Sequence, residues 1–196
     1  MRRRKRALGW LAGLALVVLV MLDHAGAFGR MGDDRSRYDG AEANVNYAAD
    51  GDTIDVDLPD GPRKVTRIRL WGVDCPEIAH GPAEHDAYFG RQAAEFVRGR
   101  IVGRRVRLAF DPNRSPRDKY GRLLAYVYMA DSGEMLNEGL IARGLGYADR
   151  RFAHVMKHRF VEREKLAIRD KVGLWAAVTG EQMPAWRQRM DAAGAW

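Results

Sequence analysis

From about residue 44 the chain runs in short stretches where apolar and polar positions alternate, broken by turn-forming residues. Ile54, Val56 and Leu58 alternate with Asp55 and Asp57, the period-two pattern of a strand with one buried face. Pro59-Asp60-Gly61-Pro62 then turns the chain. The return strand, about residues 64–71, sets Ile68 and Leu70 on one face and Arg67 and Arg69 on the other, so Arg69 leaves the sheet away from its apolar face. Phe89, Ala93, Phe96, Val97 and Ile101 recur at helical spacing. Val106, Leu108 and Phe110 predict the next strand, a polar loop over 111–116 follows, and residues 123–129 predict another. A short helix over about 136–143 ends at Gly144, and a long one over about 151–170 turns Phe152, Val155, Met156, Phe160 and Ala167 inward. Short strands with one helix inserted and others following predict an α+β chain, mainly β: a small closed or nearly closed barrel packed by helices.

The flanks differ in composition. Residues 28–43 are rich in Gly, Asp, Arg and Ser without periodicity and read as a flexible linker. Residues 176–196 form a tail with Trp186 and Trp196, which dock either on the domain or on a partner. At the other end, Arg2, Arg3, Arg4, Lys5 and Arg6 precede an uncharged run over residues 7–22, followed by Ala25-Gly26-Ala27. That order is an export signal cut after Ala27, giving a secreted or periplasmic protein. Left uncut, residues 7–22 would anchor the domain on the outer face of a membrane.

Charge adds less than it first suggests. The net +7 resembles a nucleic-acid footprint, but residues 1–27 hold five basic residues against Asp23, which leaves +3 for residues 28–196. Any polyanion argument therefore rests on where the charges sit. Cys75 is the only cysteine, so no intramolecular disulfide forms and no cysteine pair holds a structural zinc. His154 and His158 are spaced for one helix face, yet no third ligand accompanies them, and a solvated face suits them better.

The chemistry-bearing stretch is residues 45–77. Asp50-Gly51-Asp52-Thr53 and Asp74-Cys75-Pro76-Glu77 are two acidic turns separated by a hairpin, and antiparallel strands return the second to the first. Carboxylates gathered beside Arg69 need a cation, a ligand or paired charges to compensate them.

Asp50-Gly51-Asp52-Thr53, then Arg69-Leu70 with Val73-Asp74-Cys75-Pro76-Glu77, then Asp118-Lys119-Tyr120-Gly121-Arg122, resemble in that order the staphylococcal nuclease (thermonuclease) family over about residues 44–175. The resemblance implies a five-stranded OB-fold barrel with about three helices and calcium-dependent hydrolysis of DNA and RNA that leaves 3′-phosphates. It also implies Asp52, Asp74 and the Cys75 backbone carbonyl as calcium ligands, with Asp50 just outside them. Glu77 is then the group that positions or deprotonates the attacking water. Arg69 and Arg122 grip the scissile phosphate, and Lys119 and Tyr120 contact the nucleotide. Calcium takes oxygen ligands in flexible geometry, and arginine forks match phosphate, so those residue types suit the chemistry. One departure is Cys75, where a hydroxyl residue stands in the best-known member; an accessible thiol there would form intermolecular disulfides or take a soft metal. The competing reading is a noncatalytic OB-fold module that binds nucleic acid. A further one is a membrane-tethered protein whose tail docks a partner.

Overall fold

The computed structural model describes residues 30–79, 81 and 85–194. The segment read as an export signal and Trp196 lie outside these residues. Among the described residues no helix is long and apolar enough to cross a membrane. Contacts divide the chain after Tyr38. Before that point the described residues form one helix, α1 (Arg30–Tyr38), where composition alone suggested an unstructured linker.

From Asp39 onward the alternating runs become strands β1 (Glu42–Ala48), β2 (Thr53–Val56), β3 (Thr66–Leu70), β4 (Val73–Asp74), β5 (Arg105–Ala109), β6 (Leu123–Met129) and β7 (Tyr147–Ala148). Five of them close a barrel in the order β1-β2-β3-β6-β5, while β4 and β7 pair separately. All barrel pairings are antiparallel except β3 with β6. β1 serves both neighbours: Val45 faces Val56 of β2, Ala43 faces Val106 of β5, and a bulge between Val45 and Tyr47 bends the strand between those two duties. Val45, Ile54, Val56, Ile68, Leu70, Leu108, Leu123 and Val127 fill the interior. Burying each such side chain contributes about 1.5–3 kcal/mol.

The three expected helices are α2 (Gly90–Ile101), α3 (Leu136–Ala142) and α4 (Lys157–Arg169), and the tail adds α5 (Ala185–Ala192). α2 buries Ala93, Ala94, Val97 and Ile101. Its Arg98 donates to the Ala48 and Ala49 carbonyls at 3.1 and 3.0 Å and so fixes the start of the first acidic turn. α3 is keyed to the barrel by Asn137, wholly buried, which accepts from the Val127 amide and donates to the Trp71 and Ala125 carbonyls.

α4 departs from its predicted start. Phe160 and Ala167 are buried as expected, but the helix begins at Lys157, and Phe152 and Val155 lie on an exposed segment before it. Their spacing matched a helix because an irregular segment can satisfy the same interval by chance. His154 also precedes the helix, so it shares no helical face with His158. The tail's docking is decided for one tryptophan: Trp186 packs with Tyr147 and Leu174 in a buried cluster of the same domain.

Candidate active site

Two tight approaches bring the acidic turns together. The Leu70 amide donates to the Asp52 carbonyl at 2.8 Å, joining the first turn to the end of β3. Gly51 lies so close to Cys75 that a Cβ there would sit 2.7 Å from the cysteine Cβ, so no larger residue fits. The Cys75 amide then donates to Asp52 Oδ2 at 2.7 Å, and Asp50 turns back to accept from the Asp52 amide at 2.9 Å.

Arg69, outward on β3 as its alternation required, lies between the two aspartates. Its guanidinium is 2.7 Å from Asp52 Oδ2 and 2.8 Å from Asp74 Oδ1, and it also donates to the Val73 carbonyl at 2.9 Å. Burial opposes the charge of Arg69, but Asp52 and Asp74 outweigh it and raise its pKa above the ordinary value. Burial pushes the Asp52 carboxyl well above its ordinary range, against the pull of Arg69 and with the push of Asp50 and Asp74.

Asp50, Asp52, Arg69, Asp74, Glu77, Lys119, Tyr120 and Arg122 all line one open cleft of about 990 Å³. Each of these is a residue for which the family resemblance implies a role. Glu77 is exposed at its rim. Arg122 is held by Asp118, which accepts its Nε at 2.7 Å and its amide at 3.0 Å. Among the described residues its two Nη groups make no hydrogen bond, so the open end of the fork remains for another partner. Tyr120 is 71% exposed, with Lys119 Nζ 4.9 Å and Arg122 Cζ 5.5 Å from its ring centre.

Cys75 behaves differently. The resemblance implies its carbonyl as a metal ligand, but it is not among the residues that line the cleft; its side chain is buried, its thiol donates to the Gly51 carbonyl at 3.2 Å, and burial raises its pKa. Tyr147 is 1% exposed with its ring edge-on to Trp175 and Trp186, so it belongs to the core.

Four features in or beside the cleft have no role in the sequence analysis. Asp118 orients Arg122 and sits four residues before it, a local spacing that could have revealed it. Arg151 adds a third guanidinium, 2.9 Å from Asp74 Oδ1 and 2.8 Å from Asp149 Oδ2. Phe152 and Trp71 form an aromatic wall, ring centres 5.4 Å apart. Trp186 of α5 donates its indole N–H to Asp74 Oδ2 at 2.7 Å.

Among the described residues the lining carries six carboxylates (Asp50, Asp52, Asp74, Glu77, Asp118, Asp149) against five cations (Arg67, Arg69, Lys119, Arg122, Arg151). One added divalent cation would make it net positive toward a polyanion. Among the described residues the lining offers oxygen donors and neither thiol nor imidazole, which fits a hard cation rather than zinc or copper. Among the described residues no three His, Cys, Asp or Glu side chains are grouped to hold a metal by themselves, so such a cation would also need carbonyl or water oxygens.

Residues 67–177 match the family of staphylococcal nuclease homologues. The thermonuclease of Staphylococcus intermedius is 39% identical over 137 residues, which cover 69% of this chain and 75% of that protein. The thermonuclease of Staphylococcus hyicus is 36% identical over 65% of this chain and 71% of its own length. An uncharacterised endonuclease of Escherichia coli O157:H7 is 29% identical over 71% of this chain and 80% of its own. Barrel, cleft and similarity agree: the chain belongs to the staphylococcal nuclease family and is a nuclease-type hydrolase.

Proposed function

We propose that the chain is an exported, calcium-dependent endonuclease that hydrolyses phosphodiesters of DNA and RNA and leaves 3′-phosphates. The observation that carries this reading is the meeting of Asp52, Arg69, Asp74, Glu77 and Arg122, spread over 71 residues of sequence, around one cleft. A module that only bound nucleic acid would need the arginines but not an exposed glutamate among them.

Asp52, Asp74 and the Cys75 carbonyl would hold the calcium, which supplies positive charge beside the phosphate oxygens when bound. The rest is done by side chains. Glu77 takes a proton from the water whose oxygen attacks phosphorus. Arg122 offers its open guanidinium end to the non-bridging oxygens, where negative charge grows, and Arg69 adds its charge from beneath the aspartates. The new P–O bond forms as the bond to the 5′ oxygen breaks; that oxygen gains a proton and leaves as a hydroxyl, and the phosphate stays on the 3′ side. Tyr120, flanked by two cations, gives a base adjoining that phosphate a face to stack on.

Purified residues 28–196 are expected to digest denatured DNA and RNA with calcium, to stop on chelation and to resume when calcium returns. Full activity in chelator would sink the metal assignment. N-terminal sequencing of the exported protein tests cleavage after Ala27.

A further inference from the structure

The C-terminal helix α5 is wired into the site. Trp186 is 7% exposed, and its indole N–H meets Asp74 Oδ2 at 2.7 Å, across 112 residues of sequence. The opposite oxygen, Oδ1, already takes Arg69 at 2.8 Å and Arg151 at 2.9 Å. The Arg151 guanidinium lies over the Trp186 ring, 4.8 Å from its centre, so the indole also backs the arginine that shares its carboxylate. Next to it, Arg187 is completely buried and reaches Glu164 Oε2 at 2.7 Å. Glu164, equally buried, also holds Arg150 at 2.6 Å and the Ala148 amide at 2.9 Å. Ala148 and Tyr147 pair with Val73 and Asp74. The helix thus grips Asp74 once directly and once through the strand beside it.

We propose that Trp186 is a positioning residue for Asp74, acting through the carboxylate rather than on the substrate; this rests on the reading of Asp74 as a calcium ligand. A carboxylate with one oxygen held by two guanidiniums has one orientation left to lose, and the indole removes it. Groups that orient a ligand in this way typically set metal affinity or activity by about tenfold to a hundredfold.

The test uses Trp186→Phe in the full chain, which keeps an aromatic ring in the cluster but removes the N–H together with the five-membered ring that carries it. The expected result is a melting temperature within a few degrees of the parent, calcium affinity by calorimetry weaker by about tenfold or more, and lower turnover with little change in KM. The indole N–H resonance of Trp186 is expected to move in Asp74→Asn and on adding calcium. Unchanged calcium affinity and turnover in Trp186→Phe would overturn the proposal, and so would a rise in turnover, which would make the indole a plug. A parent that neither binds calcium nor cuts nucleic acid would instead refute the functional reading; the shift of the indole resonance in Asp74→Asn then still reports the contact.

Discussion

Arg69 lies 2.7 Å from Asp52, with the two side chains only 14% and 4% exposed. Such a pair gains little over an apolar substitute, but removing one partner strands the other as a buried charge, which costs about 3–5 kcal/mol. Arg69→Ala is therefore expected to lose stability on that scale in urea titrations. Arg69→Lys keeps a charge but no planar fork, so it cannot serve Asp52, Asp74 and the Val73 carbonyl together. Its stability should fall between parent and alanine variant. A lysine variant as stable and active as the parent would show that charge, not the fork, is what the site needs.

Glu77 and Arg122 separate chemistry from folding. Glu77 is exposed, so Glu77→Gln should unfold like the parent. If Glu77 accepts the proton of the attacking water, turnover falls by about a hundredfold or more, with KM nearly unchanged. Arg122→Ala should lose a similar factor because its open end meets the phosphate only as charge develops. Steady-state rates on one oligonucleotide decide both, and a parent-like rate removes that residue from the mechanism.

The sequence carried the barrel where period-two alternation was clean, as in β2, β3 and β5, and it carried the acidic cluster because a hairpin returns Asp74 to Asp52. It did not carry β1. Residues 42–48 hold few strong strand formers, and the bulge at Val45 and Tyr47 breaks the alternation that would have marked them. Phe152 fell on helical spacing with Phe160 yet lies outside α4, because spacing cannot tell a helix from an irregular segment of matching interval. Arg151 and Trp186 had no local signal at all. Their partner Asp74 is 77 and 112 residues away, and only tertiary folding makes these contacts.

Cys75 should be chemically silent in the folded protein. The thiol is buried, hydrogen-bonded to the Gly51 carbonyl, and raised in pKa by burial, so little thiolate forms and little reagent reaches it. Alkylation followed by mass spectrometry should show no labelling in native buffer and full labelling in denaturant. Rapid labelling of native protein, or inhibition by a thiol reagent, would place the thiol at the cleft after all.

His154 gives the fold a pH dependence above the carboxylate range. Tyr126 donates its hydroxyl proton to Asp111 Oδ2 at 3.0 Å, so the contact of 3.1 Å between that hydroxyl oxygen and His154 Nδ1 requires the imidazole to carry its proton on Nδ1. Nε2 is buried, and among the described residues it meets no partner at normal hydrogen-bond geometry, although the Asp149 backbone nearby favours the charged ring. The ring also fills the space over Gly72, whose φ is +78° and where a Cβ would sit 2.5 Å from His154 Cε1, so no side chain fits there. Burial lowers the His154 pKa below its ordinary 6.5; Asp111 and Asp149 pull it up, and Lys157 pushes it down. Below pH 6.5 the unfolded chain therefore takes up a proton that the folded one resists, and stability falls as pH drops. One such proton gives a slope of at most about 1.4 kcal/mol per pH unit. Urea titrations of the parent between pH 7 and 5 should show this decline. His154→Gln, which keeps a polar side chain but cannot titrate, should flatten it, and equal slopes in the two proteins would assign the decline to other groups.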